Sequence, residues 1–190
     1  MKNLKQNSHR NDEVFTPDLL AENIVRHYNP TGKILEPCCG NGVFLKYMPN
    51  ADWCEISKGR NFFECKEKYD WIITNPPWSI FRPFLIHALN VAENIVFLIP
   101  IVHYFSKARL REIFNNNYGI KEIIAIETPK CFPQMGFQLG IVYIQKNYKG
   151  KTNIIYDTHK KFTQQRLSAS PVQDTKETRH TAMLKIFFTF

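Results

Sequence analysis

Apolar residues recur along this chain at two spacings. In PDLLAENIVRHY (17–28), Leu20, Ile24 and His27 or Tyr28 share one face at helical spacing, and Pro17 suits a first helical turn. FRPFLIHALNVA (81–92) and KARLREIFNNNY (107–118) read the same way, and VFLKYM (43–48) reads as a shorter helix. Between these lie compact apolar runs: KILEP (33–37), ADWCEI (51–56), DWIITN (70–75), NIVFLIP (94–100), IKEIIAIE (120–127) and LGIVYIQK (139–146). Their length and Val/Ile content predict strands. Strands alternating with helices predict a mostly parallel sheet with helices on both faces. No helix separates the last two strands, which predicts a terminal antiparallel hairpin joined by the loop TPKCFPQMGFQ (128–138).

Composition narrows the class. The chain has 190 residues, 44% apolar and 22% charged, the make-up of one globular domain with a substantial core. No apolar run approaches the roughly 20 residues that span a bilayer, and MKNLKQNSHRNDE has no apolar centre, so neither a membrane nor a secretion signal is expected. The five cysteines form no CxxC pair and no Cys/His spacing for zinc. Free thiols, a reducing cytoplasmic setting and no metal are the expectation. The formal charge is +8, and residues 145–190 hold nine basic and three acidic side chains, a net of +6. That flank suits phosphate contacts, as well as a merely solvated tail. The expected division is a flexible N-terminus (1–12), a globular domain (13–148) and a basic, partly disordered tail (149–190). Within the tail, SASPVQDTKETRHT (168–181) reads as disordered, and an apolar MLKIFFTF ends the chain.

Two stretches carry chemistry. ILEPCCGNGVFL (34–45) joins a strand, an acidic residue and a GxG turn, where ligands of open α/β sheets bind. Gly40 and Gly42 allow close approach of a ligand to the backbone, and Glu36 can hold an ammonium. The loop lacks the GxGxxG of dinucleotide sites, and taken alone it also fits an ordinary strand–turn–helix connection. Glu55 follows Glu36 by nineteen positions, the spacing at which an acidic residue commonly holds ribose hydroxyls. The second stretch, IITNPPWS (72–79), follows a strand with an amide, two prolines and a tryptophan, a sequence suited to presenting acceptors and a flat ring.

Together, EPCCGNG, NPPW and the preceding FTP (15–17) resemble a class I S-adenosylmethionine-dependent methyltransferase of the DNA adenine-N6 type, over about residues 13–146. The resemblance implies a Rossmann-like α/β fold with a mostly parallel sheet of the seven-stranded type, S-adenosylmethionine as cofactor and DNA as partner. It assigns Thr16, beside Pro17, to the cofactor's carboxylate, and Glu36, Pro37, Gly40 and Gly42 to the loop around its ammonium group. It assigns Glu55 to the ribose and Phe62 to the adenine ring. Asn61 stands where the family often has Asp; an amide oxygen still accepts, without the charge. The stretch from Glu55 to Asp70 is too short for a full helix and strand, so that side of the cofactor is expected to be open.

NPPW suits methylation of a planar amine. The lone pair of such an amine is delocalised into the ring. The Asn75 carboxamide oxygen and the Pro76 carbonyl each accept one N–H, which favours a tetrahedral nitrogen and aims its lone pair at the sulfonium methyl. Pro76 and Pro77 fix the carbonyl direction. Trp78 stacks on a base flipped out of the duplex. Phe137 is the first candidate for the opposite wall and Phe132 the second, although both also suit core packing. Other readings are an RNA base methyltransferase, a protein glutamine methyltransferase, or a decayed nucleic-acid-binding domain without turnover. The resemblance leaves no large region for target recognition, so a separate specificity subunit is a further possible partner.

Overall fold

The computed structural model describes residues 14–134 and 136–164. The expected flexible N-terminus (1–12), the stretch 168–181 and the apolar end lie outside the described residues. Helix α1 (Asp18–Tyr28) leads into strand β1 (Ile34–Glu36). After β2 (Asp52–Trp53) come β3 (Tyr69–Thr74), α2 (Phe81–Val91) and β4 (Ala92–Pro100). Helix α3 (Lys107–Asn115) precedes β5 (Tyr118–Ala125), β6 (Leu139–Lys146) and β7 (Asn153–Tyr156). Among the described residues no helix is long and apolar enough to cross a membrane.

The strands form one seven-stranded sheet in the order β2-β1-β3-β4-β6-β5-β7. Pairings β1/β2, β1/β3, β3/β4 and β5/β7 are parallel, while β6 runs antiparallel to both β4 and β5. The Rossmann-like α/β arrangement and the antiparallel hairpin are thus as the sequence predicts. The chain leaves β1 toward β2 on one side and later toward β3 on the other, so the carboxyl ends of β1 and β3 flank the switch point where open sheets bind ligands.

Burial explains why these residues make this sheet. Side chains alternate across each strand. Ile72, Ile95, Phe97, Ile99, Val142 and Ile144 pack under α2 and α3. Ile73, Val96, Leu98, Ile141 and Tyr143 pack with α1 on the opposite face. The last six residues of β4 are all buried, as a central strand covered on both faces requires.

The structure departs from the pattern in three places. The helix expected over 43–48 is one 3-10 turn, Phe44–Lys46, because the left-handed Gly42 leaves few residues to wind before Pro49. The strand expected over 51–56 shrinks to Asp52–Trp53, and Glu55 instead bridges to Arg60. Strand β7 lies inside the stretch read as the start of a tail. It is four residues among lysines, mostly exposed, and it gains its order by pairing with β5. Beyond it, both Asp157 oxygens accept backbone N–H groups, from Lys161 at 2.8 Å and Phe162 at 2.9 Å, which turns Phe162 into the core beside His27.

Helix α1 is tied to β5 through Glu122. Its carboxylate accepts from the Tyr28 hydroxyl at 3.0 Å and pairs with His27 Nε2 at 2.9 Å. The His27 bond outweighs burial and holds this carboxyl below the usual range. Glu122→Ala is expected to cost about 1–3 kcal/mol by stranding both partners. The difference from wild type should shrink as pH falls through the lowered carboxyl value, because a depressed pKa contributes stability only above it. Urea unfolding of both proteins at pH 7 and at acid pH checks this.

Candidate active site

The ends of β1 and β3 are joined by a chain of polar side chains. Glu36 ends β1 and is 1% exposed. Its Oε1 accepts from the Thr74 hydroxyl at the end of β3 and from the Cys38 N–H at 3.2 Å. Cys38 Sγ lies 3.0 Å from Thr74 Oγ1 and donates to the Asn75 carbonyl at 3.3 Å. Burial, then the charge of Glu36, keeps this thiol protonated and therefore a donor. Glu36 Oε2 is buried with no partner. Burial pushes this carboxyl up to about 8, against the bonds from Thr74 and Cys38. A buried carboxyl with one oxygen unpaired fits an incoming ammonium group, whose charge would favour loss of the carboxyl proton and leave that oxygen as an ionised acceptor.

The glycine loop lies over that carboxyl. Gly40 and Gly42 have φ of +49° and +81°, in the left-handed region glycine favours. A Cβ at Gly40 would meet the Phe15 ring at 3.3 Å. The FTP segment therefore crosses the loop closely, with Thr16 and Pro37 buried and Pro17 capping α1. The same segment touches the other two parts of the site. The Val14 carbonyl accepts from Asn75 Nδ2 at 3.0 Å, and the Phe15 carbonyl lies 3.9 Å from Cys131 Sγ in the 128–138 loop.

That bond to Val14 settles the direction of the Asn75 carboxamide. The nitrogen takes the carbonyl, so the oxygen is the free end, and Oδ1 is buried with no partner. Pro76 and Pro77 follow, and Pro77 opens the 3-10 turn Trp78–Ile80 that runs into α2. The Asn75 carboxamide oxygen is thus unpaired and fixed in orientation.

On the β2 side, Glu55 Oε2 accepts from the Gly40 N–H at 2.8 Å, and Oε1 accepts from Ser57 N and Oγ at 3.0 and 2.8 Å. Burial acts to raise this carboxyl, but donation from Ser57 and Gly40 and the charge of Lys58 hold it below the usual range. It is an ionised acceptor at the loop's edge. Two residues predicted here are placed otherwise. The Asn61 oxygen is engaged as a cap on the Phe63 N–H at 3.1 Å. Phe62 is 4% exposed, with its ring centroid 4.6 Å from those of both Phe84 and His87. The β2–β3 connection holds only the 3-10 turns Ile56–Lys58 and Phe62–Glu64. With no helix there to cover α2, Phe62 fills the core itself, and Phe63 is the ring left at the surface.

Beyond NPPW lies a cavity of about 150 Å³, lined by Trp78, Pro100, His103, Thr128, Pro133, Phe137 and Leu139. An apolar cavity of about this size accommodates a single aromatic ring. Pro100 pairs with Leu139 across β4/β6, so the 128–138 loop returns to the edge where β3 ends. Phe137 lines the cavity and is 53% exposed, whereas Phe132 is 2% exposed and stacks on Trp78 with centroids 5.9 Å apart. His103 is a member of this wall that the sequence pattern missed. Its position follows from β4 lying beside β3, because it is the third residue past the end of β4.

No protein-family profile matches the chain, and no curated protein does. Solved structures do resemble it. A Listeria monocytogenes protein assigned as a class I S-adenosylmethionine-dependent methyltransferase superposes with a TM-score of 0.57 at 14% identity, over 82% of this chain and 68% of that one. The M protein of the type I restriction enzyme EcoKI gives 0.55 at 14% identity, over 70% of this chain and 44% of its own. A Pyrococcus horikoshii protein assigned as an RNA methyltransferase gives 0.50 at 14% identity, over 70% and 82%. At such identity the likeness establishes the shared fold.

Glu36 sets a testable pH dependence. Its folded value of about 8 lies above the ordinary 4.5, so the stability it contributes is full below 4.5 and is lost as pH rises toward 8. Glu36→Gln should therefore melt with wild type at acid pH and above it from pH 8 upward. Thermal melts of the two proteins across that range check the sign.

Proposed function

We propose that this chain, which has the fold of class I S-adenosylmethionine-dependent methyltransferases, binds S-adenosylmethionine and methylates the N6 amine of adenine in DNA. The observation that carries the reading is Asn75. Its carboxamide oxygen is buried, unpaired and held in direction by Val14, one residue past β3 and three before Trp78, which lines an aromatic-walled cavity.

The cofactor supplies an electrophilic sulfonium methyl. In this reading Glu36 Oε2 pairs with its ammonium group, and Gly40 and Gly42 let the backbone approach it. Thr16 and Pro17 close over its carboxylate, and Glu55 accepts from its ribose. Asn61 and Phe62 contribute from behind, since one caps a turn and the other packs in the core; Phe63 is the adjacent ring exposed at the surface.

Asn75 Oδ1 and the Pro76 carbonyl accept the two amine hydrogens. They hold the nitrogen in the geometry for in-line attack and stabilise the positive charge that develops on it. No change of protonation at Asn75 is needed, and the proton leaves the nitrogen after transfer. Trp78 and Phe137 provide the stacking walls, with Phe132 bracing Trp78 from within. An amine in a duplex cannot reach this recessed site, so the base is flipped into it. In this reading a separate specificity chain is a further partner, and the likeness to a modification subunit of a type I restriction enzyme supports assembly with other subunits.

The test offers labelled S-adenosylmethionine with duplex DNA, single-stranded DNA, RNA and bulk protein. The expected product is N6-methyladenine in DNA, and Asn75→Ala should lower its rate by about 10²–10³. Label in RNA or protein instead would keep the chemistry and overturn the substrate. Label nowhere would overturn the function. Trp78→Ala and Phe137→Ala should each weaken binding of the target strand by about 1–3 kcal/mol, read by fluorescence titration.

A further inference from the structure

His103 has no part in the chemistry above, yet it sits in the same cavity. It ends the 3-10 turn Ile101–His103 directly after β4. Its ring centroid lies 6.5 Å from that of Trp78 at 49°, and 6.0 Å from that of Phe81 at 77°, so it stacks on neither. Nδ1 is buried without a hydrogen-bond partner. Native structures leave few such atoms, and each asks for an explanation. Burial, then the charge of Arg109 on α3, holds the ring below the usual histidine range. A neutral imidazole carries one N–H donor and one lone pair. The rest of the wall is mostly apolar: Pro100, Pro133, Phe137 and Leu139 surround it, with Thr128 the other polar member. A ring lying against Trp78 therefore meets few polar groups, of which His103 is the one with an aromatic N–H donor.

Asn75 and the Pro76 carbonyl are both acceptors. Two acceptors read an –NH2 group and nothing about what bears it. Cytosine, guanine and a side-chain amide all carry one. A donor in the cavity that Trp78 walls adds discrimination, because a base carries ring-nitrogen lone pairs next to its amine, N1 and N7 in adenine, and a side-chain amide carries none. We propose that His103 donates a hydrogen bond to a ring nitrogen flanking the amine of the base in the cavity, N1 or N7 of adenine, making it a residue that reads the ring as well as the amine. The assignment rests on the reading of the site as a base-methylating one, but it concerns binding and can be tested without turnover.

The experiment measures binding of the full chain, with S-adenosylhomocysteine present, to short single strands differing at one central position: adenine, 1-deazaadenine, 7-deazaadenine or no base. Wild type is expected to bind the adenine strand at least about tenfold more tightly than the abasic strand and than one of the two deaza strands. The sensitive deaza position names the nitrogen that is read. His103→Phe, which keeps a ring of similar size, should bind adenine and that deaza strand alike, and His103→Asn, which keeps an N–H donor, should recover part of the difference. The proposal is overturned if wild type treats the adenine strand like both deaza strands or like the abasic one, or if His103→Phe still discriminates. The wild-type comparison depends on no variant's folding. Discrimination through His103 by a protein that transfers no methyl group would sink the enzymatic reading alone and leave His103 as the base reader.

Discussion

The hydrogen bond between Glu36 and Thr74 is the constraint on which the site depends. It joins the ends of β1 and β3 at the place where the chain's path across the sheet reverses. A carboxyl buried there is costly unless its oxygens are satisfied. One oxygen is served by Thr74 and Cys38, and Cys38 passes the constraint on to the Asn75 carbonyl. The other oxygen is left bare. The fold thus fixes the separation between the glycine loop and NPPW and leaves one oxygen of Glu36 without a partner.

The remaining geometry follows from that join. The segment 14–16 lies across both halves, with its backbone occupying the Asn75 nitrogen and its Phe15 ring resting on Gly40. This leaves Glu36 Oε2, Asn75 Oδ1 and His103 Nδ1 as buried polar atoms without partners at the ends of β1, β3 and β4. Each unmet atom of this kind costs stability until a partner reaches it. The site is therefore paid for by the folded core beneath it, where Ile72, Ile95 and Phe97 pack on one face and Ile73, Val96 and Leu98 on the other.

Much of this was legible in the amino-acid order. β4 and β6 appear as unbroken apolar runs because central strands are buried on both faces. Glu36, the glycines and Asn75 are legible because each is set by local chain geometry at a strand end. Residues whose place depends on distant elements are not. Phe62 and Phe63 are adjacent aromatics, and which one turns inward depends on the missing helix between β2 and β3. His103 reaches the cavity only because β4 pairs with β3. β7 is ordered by its register on β5, and nothing in NIIY itself requires it.

The central claim is that Glu36 waits, neutral and buried, for a cationic ligand. Calorimetric titration of the chain with S-adenosylmethionine at pH 7, in buffers of differing ionisation enthalpy, tests it most directly. A carboxyl held at about 8 is mostly protonated at that pH, so pairing with an ammonium group should release close to one proton per ligand bound, by about the amount linkage requires. The release should vanish in Glu36→Gln, with affinity reduced. Binding without proton release, or equal binding by the variant, would contradict the account.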